Sequence, residues 1–364
     1  MTGRDSATQG SRPQTDESPI EEKNDSSKVE SDTPEIQIRS SLIELLDNDE
    51  LKTRMKSIDN AIMSCLMEEE GKPAQLYETA AYLIRAGGKR LRSLLVVLSC
   101  EAVEGKIEDA LPFAIATEFV QTASLIHDDI IDDDAVRRGV ESVHRRFGLR
   151  FAILAGDLLV AQALKLVGGN ATPDLMVHIA NGGIRMCEGQ AADILMTVDD
   201  GDTLSEEDYL HMIERKTVSF MREAARMGAA VGEASDEKRD ALIRYAENLG
   251  YGFQIRDDIL DILGTQRTTG KSVQTDIKLK RYNFPLVHAL KTCSNLEREL
   301  CLRGIADGDF DRTLKMIEDT GAVGYAIDIA QHYIEKAKAA LIGHDFKNQN
   351  LLQALADFVL SRIH

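Results

Sequence analysis

The sequence predicts an all-α protein, a single large helical bundle. Three observations carry that expectation. From Ser41 onward, apolar residues recur at three-to-four spacing along almost the whole chain. No stretch sustains the alternation of a half-buried strand, and no Asn-Gly or Asp-Gly turn joins two alternating runs. The long stretches favour Ala, Leu, Ile, Glu, Lys and Arg, all good helix formers, while proline is scarce and tryptophan absent.

The periodic segments are 41–69, 75–86, 91–104, 110–132, 150–168, 174–197, 205–230, 236–263, 284–303, 309–318, 321–341 and 350–362. Breakers separate many of them: Gly87-Gly88, Gly168-Gly169, Pro173, Gly201 and Gly264. Short connections between helices on one core suit a bundle, and no composition shift divides residues 39–364. Residues 1–38 differ. They are rich in Ser, Asp, Glu, Thr and Pro and hold few large apolar side chains. Such a segment buries too little surface to offset ordering entropy, so it is read as a disordered, solubilising tail.

A formal charge of −18 argues against nucleic-acid binding and against docking on an anionic membrane by charge. No signal peptide opens the chain, and no apolar run of spanning length is evident, so integral membrane association is not expected. Cys65, Cys100, Cys187, Cys293 and Cys301 are odd in number and show no Cys-x-x-Cys spacing. They are read as reduced packing residues of a cytoplasmic protein.

The segment HDDIIDDDAVRRG at 127–139 ends an apolar helical run in negative charge. Asp128 and Asp132 share a helix face, with Asp129 beside them. Like charges at that spacing destabilise a helix, and acids at a helix C-terminus oppose its dipole. Asp257, Asp258 and Asp261 repeat the spacing after a second apolar run. Two matching triads imply carboxylate walls facing across a cleft. Oxygen donors without His or Cys suit Mg²⁺, commonly held jointly by carboxylates and substrate phosphates. The expected ligand is therefore a metal–diphosphate group. Cations for a polyanion are at hand in GGKRLR at 87–92, in Arg137-Arg138, in ERKT at 214–217 and beyond the second triad. Lys89, Arg90 and Arg92 are expected in the first turn of a helix, where an anion is favoured. Neither His-Glu-x-x-His nor Gly-x-Ser-x-Gly occurs, and no protein nucleophile stands out.

These motifs, in this order, resemble the trans-isoprenyl diphosphate synthases, or polyprenyl synthetases, over about residues 40–364. GGKRLR, HDDIIDDDAVRRG, AGDLL at 155–159, EGQAADI at 188–194, ERKT and GYGFQIRDDILD at 250–261 carry the likeness, with LLQALADFVLSR near the end. The resemblance implies antiparallel helices around a deep central cavity, a homodimer, and about two or three Mg²⁺ ions. It implies head-to-tail addition of isopentenyl diphosphate to an allylic diphosphate, with farnesyl or geranylgeranyl diphosphate as primer. By motif, Asp128, Asp129, Asp132, Asp257, Asp258 and Asp261 would hold metal. Arg137, Lys216 and Lys271 would contact the allylic diphosphate. Lys89, Arg92 and Arg138 would take that of isopentenyl diphosphate, and Gln121 stands where the family often has a histidine ligand. Thr217 and Gln254 would flank the reacting carbons.

Product length in this family depends on side chains below the first aspartate motif. Here these are Ala123, Ser124, Val120 and Thr117, none of them bulky. That predicts a product of ~C30 or longer by family analogy, with geranylgeranyl or farnesylgeranyl diphosphate as the alternative. Phe113, Phe119 and Phe151 are candidates to cap the cavity from elsewhere. A terpene cyclase and a non-catalytic subunit of a heteromeric synthase are competing readings. Two complete aspartate triads argue against both. After the second motif, Gln274 and Lys280 replace the family's glycines, Arg281 its lysine and Asn283 its threonine.

Overall fold

The structure, a computed structural model, describes residues 48–68, 71–198, 204–263 and 275–360. The expected tail and its junction, together with Lys271 and Gln274, lie outside the described residues.

In chain order the first helices are α1 (Asp49–Glu68), α2 (Ala74–Arg85), α3 (Leu91–Ala102) and α4 (Ile107–Ile131). A hairpin of two-residue strands, β1 (Val136–Arg137) and β2 (Val140–Glu141), leads to α5 (Val143–Phe147), α6 (Leu149–Gly168) and α7 (Pro173–Leu195). Then come α8 (Glu206–Ile213), a π-helical turn (Glu214–Val218), α9 (Ser219–Val231) and α10 (Asp236–Leu263). The chain continues with α11 (Thr275–Lys278), α12 (Phe284–Thr292), α13 (Asn295–Asp307), α14 (Phe310–Asp319), α15 (Ala322–Ala340) and α16 (Gln349–Leu360).

Two long helices organise the bundle. α4 begins with Glu108 and Asp109, which suit a helix N-terminus. It buries Phe113, Ala116, Phe119, Ala123 and Ile126 and packs mainly on α6 and α3. α10 packs on α15 and α9. One apolar cluster joins α1–α4, α6, α9 and the first half of α10. A second gathers α8, the end of α10 and α12–α15.

The helical expectation holds, with local corrections. The segment 284–303 is two helices, because Ser294 and Glu297 form a reciprocal capping box that starts α13. α3 begins at Leu91, so Lys89 and Arg90 precede it. The hairpin turn falls at Arg138 (φ 55°) and Gly139 (φ 77°), both left-handed. α6 is, by length and composition, apolar enough to cross a membrane, contrary to expectation. It packs along α4 with one face and leaves Ile153, Leu154 and Leu164 exposed on the other.

Candidate active site

A cavity of about 800 Å³ lies among α4, α6, α7, α9 and α10. Asp128 from α4, Asp132 at its C-cap, and Asp257 and Asp258 from α10 line its mouth. Two carboxylates from each aspartate motif therefore line the same cavity. Burial pushes the Asp128 carboxyl above its ordinary value, against the pull of Lys216. Burial also pushes Asp258 up to about 6, despite hydrogen bonds from Tyr209, the Phe284 N–H and Gln254. Burial thus disfavours the charged form of both carboxyls while the site is without ligand.

Among the described residues no three His, Cys, Asp or Glu side chains converge on one metal position. An open set of oxygen donors still fits Mg²⁺, which keeps waters and completes its shell with phosphate oxygens. Metal binding requires deprotonated carboxylates, so it competes with the protons held on Asp128 and Asp258. Thermal stabilisation by Mg²⁺ plus inorganic diphosphate should therefore be larger at about pH 7.5 than at about pH 5.5. Equal shifts at the two pH values would rule out these carboxylates as the ligands.

Cations tie the end of α4 to α7. Lys216 Nζ lies 2.6 Å from Asp193, and Arg281 lies 2.6 Å from Asp132 and 3.4 Å from Asp193. Burial acts to lower the Lys216 pKa, but Asp193 and Asp128 outweigh it and hold the ammonium above its ordinary value. The ERKT motif forms the π-helical turn, a rare geometry that concentrates at functional sites. It places Lys216 and Thr217 together on the cavity wall. Thr217 Oγ1 donates to Gln254 Oε1 at 2.8 Å, and Gln254 Nε2 donates to Asp258 Oδ1 at 3.0 Å. The Tyr209 hydroxyl donates to the other Asp258 oxygen from a fully buried position.

The π turn rests directly on α7. A Cβ on Gly189 would lie 2.2 Å from Lys216 N and 2.5 Å from its Cα. Only glycine permits that approach, and backbone cannot swing aside as a side chain can. Gly189→Ala should lower kcat/KM about 10–100-fold through misplacement of Lys216 and Thr217. Steady-state kinetics beside a thermal melt checks this, and unchanged kinetics in the folded variant would refute it.

Behind the mouth, Arg92 stacks over Phe220 and Phe253 at 5.4 and 5.5 Å, and its Nε is buried without a partner. Burial pulls its pKa down to about 10. Its cavity-facing guanidinium suits an anion. Lys89 sits 3.8 Å from Asp257. Arg90, with left-handed φ, turns inward to Glu118, to Asp59 at 2.9 Å and to the Ile84 carbonyl at 3.0 Å.

Comparison with known proteins now decides the lineage. A family profile described as polyprenyl synthetase matches residues 73–317. The chain belongs to the polyprenyl synthetase family. It is 34% identical over 323 residues to geranylgeranyl diphosphate synthase of Methanosarcina mazei, covering 86% of this chain and 97% of that one. It is 34% identical over 305 residues to geranylfarnesyl diphosphate synthase of Aeropyrum pernix, covering 80% and 95%. A polyprenyl synthase from Caulobacter crescentus, solved with calcium and isoprenyl diphosphate, superposes with a TM-score of 0.80 at 31% identity. That alignment covers 88% of this chain and 98% of the other. The protein is thus a trans-isoprenyl diphosphate synthase, a prenyltransferase with the all-α fold of its relatives.

Within this synthase, the cavity gathers Asp128, Asp132, Arg137, Lys216, Thr217 and Gln254. It also gathers Asp257, Asp258, Arg92 and Gln121, along with Val120, Ala123 and Ser124. Four assigned residues stand off its wall. Asp129 is wholly buried, with Oδ1 accepting from Arg137 Nε at 2.6 Å, and burial pushes its pKa up to about 6. Asp261 accepts from the Asp276 N–H at 3.2 Å. Arg138 donates to the Leu83 carbonyl at 2.8 Å and pairs with Glu118 at 3.3 Å. Lys89 pairs with Asp257 at 3.8 Å and lies over the Phe253 ring at 5.6 Å. These four placements share a cause: spacing shows which side chains share a helix face, but contacts between segments decide which of them line the cavity.

The departures from the family pattern have physical places. Lys280 adopts φ 57°, the left-handed region glycine favours. Arg281 spans the two carboxylates named above. Asn283 caps α12 by accepting from the Leu286 N–H at 3.0 Å. Phe113 and Phe119 are buried in the core, and neither they nor Phe151 line the cavity. Asp193, Tyr209 and Glu223 belong to the site and were not singled out from the sequence. EGQAADI contained Asp193, but nothing in its spacing marked the aspartate as the partner of Lys216.

Proposed function

We propose that this prenyltransferase adds isopentenyl diphosphate head to tail onto an allylic diphosphate and releases geranylgeranyl or farnesylgeranyl diphosphate. The depth of the cavity carries this reading. The wall on α4 runs from Asp128 to Ala116, twelve positions and about 18 Å of helix. An extended chain advances about 1.2 Å per bond, so four bonds per isoprene unit put about four units, or twenty carbons, in that depth. The relatives of geranylgeranyl and geranylfarnesyl specificity support the same length. The ~C30 expectation rested on the lack of bulk at Val120, Ala123 and Ser124 and gives way to this shorter product.

Asp128, Asp132, Asp257 and Asp258 would hold Mg²⁺, whose charge would weaken the C–O bond of the allylic diphosphate. Lys216, Arg137 and Arg281 bring fixed positive charge to the same mouth. Thr217 and Gln254 present polar oxygens where positive charge develops on carbon. Arg92 holds the second diphosphate, and Gln121 donates a hydrogen bond to it. The isopentenyl double bond forms the new C–C bond as the allylic C–O bond breaks. The proton lost from isopentenyl carbon passes to the departed diphosphate, so no protein base is required. The apolar walls keep water from the reacting carbons.

We also propose a homodimer. Val160, Leu164 and Ile194 line the cavity and yet are 37%, 52% and 42% exposed. Ile153, Leu154 and Ile184 extend the same apolar side of α6 and α7. A second copy laid on this side would both bury it and close the cavity. The thiols of Cys100, Cys187, Cys293 and Cys301 support a reducing, cytoplasmic setting.

The test is incubation of the full chain with labelled isopentenyl diphosphate, Mg²⁺ and an allylic primer, with chromatography of the dephosphorylated products. Geranylgeraniol or farnesylgeraniol as the main product supports the reading. Chains of thirty or more carbons, or no elongation of any primer, would overturn it.

A further inference from the structure

Below the mouth, one carboxylate on α9 lines the part of the cavity that receives hydrocarbon. Glu223 has a side chain 8% exposed, with carboxylate oxygens 3.0 Å from Arg226 and 3.5 Å from Arg222. It lies seven positions beyond Lys216, hence about 10 Å deeper, or roughly two isoprene units. Its stem lies against Gly182 of α7, where a Cβ would sit 2.7 Å from Glu223 Cγ and 3.5 Å from its Cβ. Gly182 is seven positions before Gly189, the glycine that meets Lys216. The two glycines therefore define one seam along which α7 and α9 run antiparallel. Above it stands the catalytic ammonium, below it Glu223.

An apolar tail passing this level must lie beside a charged carboxylate and strip water from it, which is unfavourable even for a paired charge. The size of Gly182 decides where the Glu223 stem goes. With no Cβ there, the stem lies along α7. With one, it must swing across the cavity or the helices must part.

We infer that the Gly182–Glu223 contact is a chain-length determinant of this synthase: it sets the width and the polarity of the cavity about two isoprene units below the reacting carbon. This inference rests on the prenyl-elongating reading above. As the tail lengthens, more of it must be held against Glu223 and beyond, which weakens retention of the elongated product and favours its release.

The experiment primes the full chain with geranyl diphosphate and labelled isopentenyl diphosphate and reads the product distribution for four proteins. Wild type should give geranylgeranyl or farnesylgeranyl product. Gly182→Ala should raise the ratio of farnesyl to longer products at least tenfold. Glu223→Ala should move the main product longer by at least one isoprene unit. The double variant should recover at least the wild-type length, because the obstruction that alanine creates is Glu223 itself. Thermal melts establish that each variant is folded. If Gly182→Ala does not fold, Glu223→Ala and Glu223→Leu decide the matter, both predicted to lengthen the product. Wild-type distributions from these variants with turnover retained would overturn the inference. A wild-type chain that elongates no primer would instead overturn the functional reading on which it rests.

Discussion

Asp128→Asn should reduce turnover by ~10³-fold or more while leaving the metal-free fold at least as stable as before. Two features of the site lead to both halves of this expectation. Asp128 lines the mouth opposite Asp257 and Asp258, so it is poised to meet a metal-bound diphosphate. Its environment without ligand is adverse: burial, with Asp132 and Asp193 nearby, pushes its pKa up, and only Lys216 and Arg137 counter this. Removing the charge relieves that cost in the free protein and removes the benefit in the complex. Measured together, kcat and the melting temperature with and without Mg²⁺-diphosphate separate the two. A variant that keeps even a tenth of wild-type turnover would take Asp128 out of the chemistry.

Glu118→Ala should destabilise the protein by about 3–5 kcal/mol, the scale for removing one partner of a buried ionic group. Glu118 is 3% exposed and accepts from Arg90 and Arg138, with Ser93 Oγ at 3.4 Å from its second oxygen. Burial alone would raise its pKa, but the two guanidiniums prevail and hold it below the ordinary carboxylate value. Because its folded pKa is depressed, the stability it contributes is present at neutral pH. It is lost as pH falls through the unfolded value of about 4.3 toward the folded one. Both arginines occupy left-handed backbone, Arg90 at φ 47° and Arg138 at φ 55°. Glu118 thus pins two strained loops, one before α3 and one at the hairpin turn. Urea unfolding at neutral and acidic pH checks the size and the sign. A loss below about 1 kcal/mol would place the triad among weakly coupled surface pairs.

The helices and both carboxylate walls were legible because each rests on a period within one segment. Asp128 and Asp132 share a face by geometry alone, and so do Asp257 and Asp261. What was not legible depended on contacts between segments. Glu118 reads like any acid in EFVQTAS, and its role appears only when Arg90 and Arg138 arrive from two other loops. Asp129 repeats the motif but is drawn away by Arg137. The π turn at ERKT has no composition signal, and the close backbone contact it makes at Gly189 comes from a separate segment. Lys280 looked like a flaw in the glycine pattern, although its left-handed backbone is the one the pattern calls for. The split at Ser294 was readable from the Ser-x-x-Glu spacing, which unbroken periodicity obscured.

Val160, Leu164 and Ile194 face the tail and the outside at once. On the proposed dimer, the reaction vessel is therefore shared property, with part of each wall on loan from a neighbour. Dilution below the dimer's dissociation constant should loosen product fidelity before it abolishes bond formation. Mixing with a related chain should give a blend of lengths that neither makes alone. Selection on the outer surface of α6 and α7 would then act on the product, even though no residue there touches a diphosphate.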